Sequence, residues 1–336
     1  MVSNLDRTAA NILLNEPSAL VGRFCDRRVL LVGDTILDIY VYGRAIGKSA
    51  ETPTIVAEEL ETKVSLGGAF LVARNLLELG AHVTFVSLVG NDQEADHVRG
   101  FNHERLKKLL VCDTSRRTTA KKRYWVDGYK LLQFDSLDNS PVSADLERNA
   151  ANHVRGEICG HDSLVVSDYR HGFLTPGLIK SILQIAKDAA RPVFVDSQVS
   201  QAAANHLLYR GADTICLNLK EAKEIDPDFE PGDDTQCFRR LHDQLKPERL
   251  IVKLGQNGCI AMMSGSFYRS SALNVKAVDT CGAGDAFLAA LCLGDLENPV
   301  LSLAIANAWA GLSTQVSGPV PAARQDLVRA LAGRIR

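Results

Sequence analysis

The sequence lacks the features that identify several common classes of protein. Its apolar runs, such as residues 286–293, end well short of the roughly 20 residues that a membrane-spanning helix needs. Its 38 basic and 40 acidic side chains give a formal charge of −2, whereas nucleic-acid-binding domains are usually strongly basic. Charges and Pro17 interrupt the first 28 residues, which argues against a signal peptide. We therefore expect a cytoplasmic protein that binds neither a membrane nor a nucleic acid.

The sequence also lacks the spacings typical of metal sites and disulfide frameworks. Its eight cysteines include no CxxC pair, and its eight histidines show no HxxxH spacing. Several cysteines, among them Cys216 and Cys259, lie inside apolar runs, as reduced thiols buried in a core do. We assign no metal to these residues. The hydrophobic content of 46% is enough for a large core.

Short β-branched apolar runs alternate with helical patterns along most of the chain. Such runs are typical of strands buried on both faces, so the alternation predicts an α/β fold, a three-layer sandwich with a central, mostly parallel sheet. We expect strands at 29–32, 83–89, 164–167, 193–195, 214–217 and 250–254. We expect helices at 69–79, 92–110, 142–158, 175–190, 236–246, 285–296 and 299–316.

Two segments, about 39–66 and 116–136, break this alternation. They alternate polar with β-branched or aromatic residues, and the second contains Asp127-Gly128, a hairpin signal. Pairing between the two segments would form a small lid of β-strands over a cleft. We therefore expect one domain over 28–330 that carries this lid, preceded by a helical extension at 1–27.

Three interpretations of the glycine-rich segments compete. Segment 43–49, GRAIGKS, has three residues between its glycines where a phosphate-binding P-loop has four, and no apolar helix follows it. Segment 282–287, GAGDAF, places Phe287 where a dinucleotide fingerprint requires Gly or Ala. These departures argue against both sites.

The third interpretation takes residues 279–285, DTCGAGD, as a turn of small residues that enters a helix. Its backbone N–H groups and the helix dipole would form an anion site, with the carboxylate of Asp285 at its mouth. Asp285 would then be either a helix cap or a base that takes a proton from an attacking hydroxyl. An anion site beside a base is what phosphoryl transfer requires.

The DTCGAGD run resembles the C-terminal signature of the ribokinase-like (PfkB) family of carbohydrate kinases. The resemblance extends over roughly residues 28–325 and includes LGGA at 66–69. VGDTILDIY at 32–40 and ETP at 51–53 are similar to the heptose-7-phosphate kinase branch, the kinase half of the enzyme that makes ADP-heptose. The resemblance implies a ribokinase-like fold and a kinase that uses ATP and Mg²⁺. The leading acceptor is the anomeric hydroxyl of a heptose 7-phosphate, a step in the synthesis of lipopolysaccharide precursors.

The resemblance also implies roles for individual residues. Asp285 would be the catalytic base, and the backbone of Cys281, Gly282, Ala283 and Gly284 would form the anion hole. The substrate-binding residues would be Asp34, Asp38, Gly67, Gly68, Lys121, Arg123 and Asp168. The residues at the nucleotide and its magnesium would be Asn218, Glu221, Lys253, Gly255, Gly258, Asn307 and Gly311, with Glu221 holding Mg²⁺ through water. Caps, turns and a solvated edge strand stay open as structural roles for the same residues. A monovalent cation near Asp279 also stays open.

The chain departs from its relatives mainly in the sugar pocket. Leu71 occupies a position where relatives commonly have a substrate-binding Asn, and Leu cannot hydrogen-bond a sugar. Gln133 and residues 197–198 replace the Arg and the Pro-Lys pair of the heptose branch. A kinase for another sugar or a nucleoside, and a non-catalytic sugar-phosphate-binding relative, therefore stay open. We expect no nucleotidyltransferase half, because the chain ends soon after the kinase module, and we expect a homodimer formed by the lid strands.

Overall fold

The computed structural model describes residues 17–198, 204–232, 236–295, 297–316 and 318–333. The first 16 residues of the predicted N-terminal extension therefore lie outside the described residues. Within that extension the structure has a short helix, α1, at Pro17–Gly22. Elements are numbered along the chain.

A nine-stranded sheet forms the centre of the protein. Its strand order is β13-β12-β11-β10-β9-β8-β1-β4-β5, and all neighbours are parallel except the last hairpin, in which β12 runs antiparallel to β11 and β13. The strands are β1 (Arg28–Gly33), β4 (His82–Val89), β5 (Leu106–Cys112), β8 (Ser163–Asp168), β9 (Val193–Ser197), β10 (Thr214–Asn218), β11 (Arg249–Lys253), β12 (Cys259–Met263) and β13 (Ser266–Ser270).

The four remaining strands form a second, smaller sheet with the order β3-β2-β6-β7. These strands are β2 (Thr35–Lys48), β3 (Ile55–Gly68), β6 (Ala120–Val126) and β7 (Tyr129–Ser136). The two separated segments pair through β2 and β6, which run parallel. Asp127 and Gly128 form the β6–β7 turn with positive φ values of 48° and 83°, as a two-residue hairpin requires. The predicted small β-sheet is confirmed.

Helices cover both faces of the central sheet. One face packs against α1, α2 (Ala69–Leu79), α3 (Gln93–Gly100), α8 (Ala283–Leu293), α9 (Pro299–Ser313) and α10 (Arg324–Gly333). The other face packs against α4 (Ala144–Glu157), α5 (Pro176–Asp188), α6 (Leu219–Ile225) and α7 (Gln236–Leu245). Two hydrophobic cores result, one on each side of the sheet, and the predicted three-layer α/β sandwich is confirmed. Within the described chain, the helices are too short or too polar to cross a membrane.

The helix predicted at 92–110 is wrong in its second half. The helix α3 ends at Gly100, and residues Leu106–Cys112 form the edge strand β5 beside β4. The ammonium group of Lys108 donates a hydrogen bond to the carbonyl of Val98 at 3.0 Å, so this side chain satisfies a carbonyl in the last turn of α3. The leucines of β5 recur three to four residues apart, and this spacing fits a helix as well as a half-buried edge strand.

The parallel strands bring their carboxyl ends to one edge of the central sheet. The strands β8, β9, β10 and β11 end there at Asp168, Ser197, Asn218 and Lys253. The smaller sheet continues directly from β1 at the same edge, because β2 begins at Thr35. Ligands of open α/β sheets bind at this edge, so the fold itself indicates where to look for a site.

Candidate active site

A cavity of about 770 Å³ lies between the carboxyl edge of the central sheet, the smaller sheet and the N-terminus of α8. This volume is in the range of small-molecule sites. The cavity brings together most of the site residues predicted from the sequence: Asp38, Gly67, Gly68, Lys121, Arg123, Asn218, Glu221, Lys253, Gly255, Gly258, Cys281, Gly282, Ala283, Gly284, Asp285, Asn307 and Gly311.

The N-terminus of α8 forms the floor of the cavity. Gly282 is its N-cap and has a φ of 81°, and no side chain among the described residues caps this helix end. A Cβ atom on Gly282 would lie 2.4 Å from Cδ2 of Leu71, so only glycine fits here. The carboxylate of Asp279 accepts a hydrogen bond from the N–H of Cys281 at 2.9 Å and holds the preceding turn. The N–H of Ala283 donates to the carbonyl of Thr280 at 3.3 Å, so among the described residues the N–H groups of Gly282, Gly284 and Asp285 are the ones available to an anion.

Asp285 lies in the first turn of α8 with only 8% of its surface exposed. The hydroxyl of Tyr169 donates to its carboxylate, at 2.7 Å from Oδ1 and 2.8 Å from Oδ2. Burial raises the pKa of Asp285 to about 7, and the Tyr169 hydrogen bond and the charge of Lys253 act in the opposite direction. A carboxylate with this pKa can take up a proton near neutral pH.

A buried ion pair lies beside the same helix end. The ammonium of Lys253 is hydrogen-bonded to the carboxylate of Asp196. A Cβ on Gly284 would lie 3.3 Å from the ammonium nitrogen, so this nitrogen is next to the first turn of α8. Burial lowers the pKa of Lys253, but the carboxylates of Asp196 and Glu221 raise it above its ordinary value. The site therefore combines a permanent positive charge with the backbone N–H groups.

Asn218 and Glu221 form a capping box at the start of α6. The carboxylate of Glu221 accepts from the backbone N–H of Asn218 and from its Nδ2, both at 2.6 Å, while Asn218 Oδ1 accepts from the Glu221 N–H at 2.9 Å. Glu221 is 2% exposed and lines the cavity. Among the described residues, no group of three or more His, Cys, Asp or Glu side chains could hold a metal ion.

The smaller sheet supplies the opposite wall. Arg123 on β6 donates to Asp38 on β2 at 2.6 Å, and Lys121 lies on the same wall without an ion-pair partner among the described residues. Lys122 points away and pairs with Glu94 of α3 at 3.0 Å. Of the three consecutive cations Lys121, Lys122 and Arg123, two therefore face the cavity, and one of these two, Arg123, is already paired with Asp38.

Asp34 and Asp168 were predicted to contact the substrate, but the structure places both below the cavity wall. Asp34 is 3% exposed, and its Oδ2 accepts from the backbone N–H of Tyr169 at 2.8 Å. Asp168 is 1% exposed, and its carboxylate accepts from the side chains of Asn205 and Tyr209, each at 2.8 Å. Both carboxylates hold the protein together at this edge, because their oxygens are directed at protein donors and not at the cavity.

The far end of the cavity is more apolar. It is formed by residues between β13 and α8 and by one face of α9: Ala272, Leu273, Val275, Ala277, Asn307, Ala310 and Gly311. The Nδ2 group of Asn307 donates to the carbonyl of Ser270 at 3.2 Å. This end offers an apolar slot with few polar side chains, which suits an apolar ring.

Two residues of the site, Tyr169 and Asp196, received no role from the sequence. Each lies at the carboxyl end of a predicted strand, β8 or β9, and polar residues at that position meet at one edge of a parallel sheet. Their position at the ends of predicted strands could therefore have identified both residues as candidates for the site. Their contacts with Asp285 and Lys253 are long-range and become visible only in the fold.

Comparison with known proteins identifies relatives of the whole described domain. Residues 26–325 match the model of the pfkB family carbohydrate kinases. The bifunctional protein HldE of Bradyrhizobium diazoefficiens is 31% identical over 326 residues, which cover 93% of this chain and 64% of that protein. The corresponding protein of Caulobacter vibrioides is 33% identical over 299 residues, which cover 86% of this chain and 60% of that protein. The chain thus spans less than two thirds of the length of these relatives.

Solved structures share the same fold. Phosphofructokinase-2 from Escherichia coli in complex with potassium superposes with a TM-score of 0.74 at 20% identity, covering 93% of this chain and 100% of that chain. Ribokinase from Arabidopsis thaliana complexed with ribose and ATP has a TM-score of 0.69 at 20% identity, covering 91% and 99%. The predicted ribokinase-like fold is confirmed.

Proposed function

Because the chain belongs to the pfkB family of carbohydrate kinases, we propose that it transfers the γ-phosphate of ATP to a hydroxyl of a sugar at the cavity described above. The observation that carries this proposal is the position of Asp285. Its carboxylate lies at the N-terminus of α8, beside the N–H groups that face the cavity. A base and an anion site are therefore adjacent.

In the proposed reaction Asp285 takes the proton of the sugar hydroxyl as that oxygen attacks the γ-phosphorus of ATP, and the bond from this phosphorus to the β–γ bridging oxygen breaks to release ADP. The N–H groups of Gly282 and Gly284 and the ammonium of Lys253 stabilise the negative charge on the transferred group. Gly67 leaves room for the carboxylate of Asp38 on the neighbouring strand, because a Cβ there would lie 2.4 Å from Oδ2 of Asp38. The walls formed by the smaller sheet exclude water from this step.

The residues present fit a nucleotide with its magnesium ion. The uncapped helix end and Lys253 suit phosphate groups, and the apolar slot near Asn307 and Gly311 suits an adenine ring. Both oxygens of Glu221 are occupied by Asn218, so Glu221 would hold Mg²⁺ through water. When bound, Mg²⁺ neutralises charge on the phosphates of ATP. The Asp279 carboxylate accepts from the N–H groups of Cys281 and Gly318, and its remaining lone pairs could still hold a monovalent cation.

The acceptor that we propose is a phosphorylated sugar. The leading candidate is a heptose 7-phosphate, which would receive the new phosphate on its anomeric oxygen in the synthesis of lipopolysaccharide precursors. Lys121 supports a phosphorylated acceptor, because it places on the wall opposite Asp285 a cation that has no ion-pair partner in the described part of the chain. The heptose branch is supported by the motifs at 32–40 and 51–53 and by the similarity to the bifunctional HldE proteins.

Leu71 favours a second candidate, a kinase for a different phosphorylated sugar. Its side chain lines the cavity and lies against Gly282, next to the anion site. An apolar group at this position cannot replace the hydrogen bonds that a sugar hydroxyl loses when it leaves water. The acceptor would then carry an apolar part of its ring, or a carbon without a hydroxyl, against Leu71.

A panel of acceptors tests the proposal. ATP consumption is measured with heptose 7-phosphate, fructose 6-phosphate, ribose and adenosine at equal concentration. We expect turnover with a phosphorylated sugar. If the acceptor is a heptose 7-phosphate, kcat/KM should be highest for that sugar. Turnover with ribose or adenosine alone would contradict the phosphorylated acceptor, and no turnover with any sugar would contradict the kinase.

We also propose that the protein is a homodimer that pairs through the smaller sheet. This sheet exposes large apolar side chains on its strands and turns, each at least half exposed: Ile46, Ile55, Leu60, Tyr129, Leu131, Leu132 and Phe134. Large exposed apolar side chains gathered on one small sheet are typical of an interface between proteins. A second copy of the same sheet would cover it.

A further inference from the structure

Tyr169 connects the proposed base to the buried edge of the central sheet. It directly follows β8, lines the cavity, and donates its hydroxyl to both carboxylate oxygens of Asp285. Burial and the neighbouring Asp285 raise the pKa of Tyr169 well above its ordinary value, so the hydroxyl keeps its proton and remains a donor. One side chain thus holds both oxygens of the proposed base.

The backbone of Tyr169 is itself held by buried carboxylates. Its N–H donates to Oδ2 of Asp34 at 2.8 Å, and the N–H of Arg170 donates to Oδ1 of Asp168 at 2.8 Å. Arg170 has a φ of 65°, a left-handed conformation that few non-glycine residues adopt. These contacts fix the turn after β8, and the turn sets the direction of the Tyr169 ring.

We propose that Tyr169 is a positioning residue, whose hydroxyl holds the carboxylate of Asp285 ionised and correctly oriented for proton abstraction, and that Asp34 anchors Tyr169 for this task. This inference rests on the proposed function, in which Asp285 is the base. It gives Asp34 a role beneath the cavity, in place of the sugar contact that the sequence predicted. The hydrogen bond from a neutral donor favours the charged form of the carboxylate.

The charged groups that face Asp285 come from three other elements. Asp196 on β9 and Asp38 on β2 raise its pKa, together with burial, which is the largest cause. The hydrogen bond from Tyr169 and the charge of Lys253 on β11 lower it. Removing the Tyr169 hydroxyl would therefore raise the pKa of Asp285 further.

A direct titration of Asp285 tests the inference without any substrate. The aspartate carboxyl carbons of the full-length protein are labelled with ¹³C, and Asp285→Asn identifies the resonance of interest. We expect Tyr169→Phe to move the titration midpoint of Asp285 upward by about one pH unit, the size of effect expected for a hydrogen bond to a charged group. An unchanged midpoint in Tyr169→Phe would overturn the proposal.

Tyr209→Phe is the matched control. It also removes a buried hydroxyl that donates to a carboxylate, but that carboxylate is Asp168. We expect the midpoint of Asp285 to stay at its wild-type position in this variant. An equal upward shift in both variants would mean that the effect is a general loosening of the core, and it would contradict a specific role for Tyr169.

Kinetics give a second readout. In Tyr169→Phe we expect the acid limb of kcat to move upward with the NMR midpoint, a loss of about fivefold at pH 7, near-recovery at high pH, and an unchanged KM for ATP. If the wild-type protein turns over no sugar, the proposed function fails, while the NMR titration still decides the role of Tyr169.

A second pair of variants applies if Tyr169→Phe does not fold. Asp34→Asn keeps an oxygen that can accept from the Tyr169 N–H, whereas Asp34→Ala removes it. We expect a higher Asp285 midpoint in Asp34→Ala than in Asp34→Asn. Equal midpoints in this pair would contradict the anchoring of Tyr169 by Asp34.

Discussion

The guanidinium of Arg123 donates to the carboxylate of Asp38 at 2.6 Å, and the two side chains close one wall of the cavity. The pair lies across two parallel strands, β2 and β6, whose register places Asp38 opposite Lys121. Each partner compensates the charge of the other. Lys121 lies on the same wall and has no ion-pair partner among the described residues. Its charge therefore makes the acceptor site positive at that point.

Replacing Lys121 tests whether the acceptor carries a phosphate. If Lys121 binds that phosphate, Lys121→Met removes a charge-assisted hydrogen bond, which corresponds to about a tenfold to hundredfold increase in KM for the sugar phosphate. The KM for ATP should not change. Lys122→Met is the control, since Lys122 lies on the same strand but pairs with Glu94 on the other side. Equal KM values in the wild type and Lys121→Met would exclude this contact.

The anion site depends on the backbone at Gly282. In Gly282→Ala the new Cβ would collide with Leu71 and would sit at a φ of 81°, so the first turn of α8 must shift. We expect kcat to fall by about 10²-fold or more, as for the loss of an oxyanion-site donor. The free energy of unfolding should decrease by about 1 kcal/mol.

Gly156→Ala is the control for this substitution. Gly156 lies in α4, and a Cβ there would have no atom within 4 Å. We expect wild-type activity and equal or slightly greater stability, because alanine favours a helix. Wild-type kcat in Gly282→Ala would contradict the proposed anion site.

The pH dependence of turnover follows from the raised pKa of Asp285. Its pKa is about 7, and a base must be ionised, so activity should fall as the pH drops below about 7. Burial and the nearby Asp168 raise the pKa of Asp34 to about 7 as well. The acid limb of the pH–activity profile must therefore be assigned to one of these two carboxyl groups. In Asp34→Asn the limb should persist at the same pH. Loss of the limb in this variant would assign it to Asp34 and contradict a titrating Asp285.

The homodimer can be tested through one exposed residue of the smaller sheet. By light scattering at micromolar concentration we expect a dimer for the wild type and a monomer for Phe134→Asp, because an unpaired charge would be buried in the interface. Leu207→Asp is the control: Leu207 is 57% exposed and Phe134 is 60% exposed, but Leu207 lies outside the smaller sheet. A monomeric wild-type protein would refute the dimer.

Local sequence patterns predicted most of the architecture. Strands buried on both faces are continuous apolar runs, so β1, β4 and β8 to β11 were recognisable. The turn at Asp127-Gly128 was recognisable because few residues tolerate two consecutive positive φ values. β5 was not recognisable, because its leucines fit a helical period. β12 and β13 were not recognisable either, because they form an antiparallel hairpin that interrupts the alternation of strand and helix.

The candidate site was predictable where backbone geometry decides it. The glycines before Asp285 indicate a helix N-terminus from their order in the chain alone. The roles of Asp34 and Asp168 were not predictable in the same way, because a strand-end carboxylate can face the cavity or accept from neighbouring backbone, and the rest of the fold decides which. The contact of Tyr169 with Asp285 joins residues 116 positions apart, so no local pattern contains it.

The effect of Asp285→Asn on phosphoryl transfer tests the central claim most directly. The amide keeps the size of the side chain but cannot take the proton. With the best acceptor of the panel, we expect kcat to fall by about 10²-fold to 10⁴-fold, the usual contribution of a general base, with ATP binding by calorimetry retained. Turnover in Asp285→Asn equal to that of the wild-type protein would contradict Asp285 as the base.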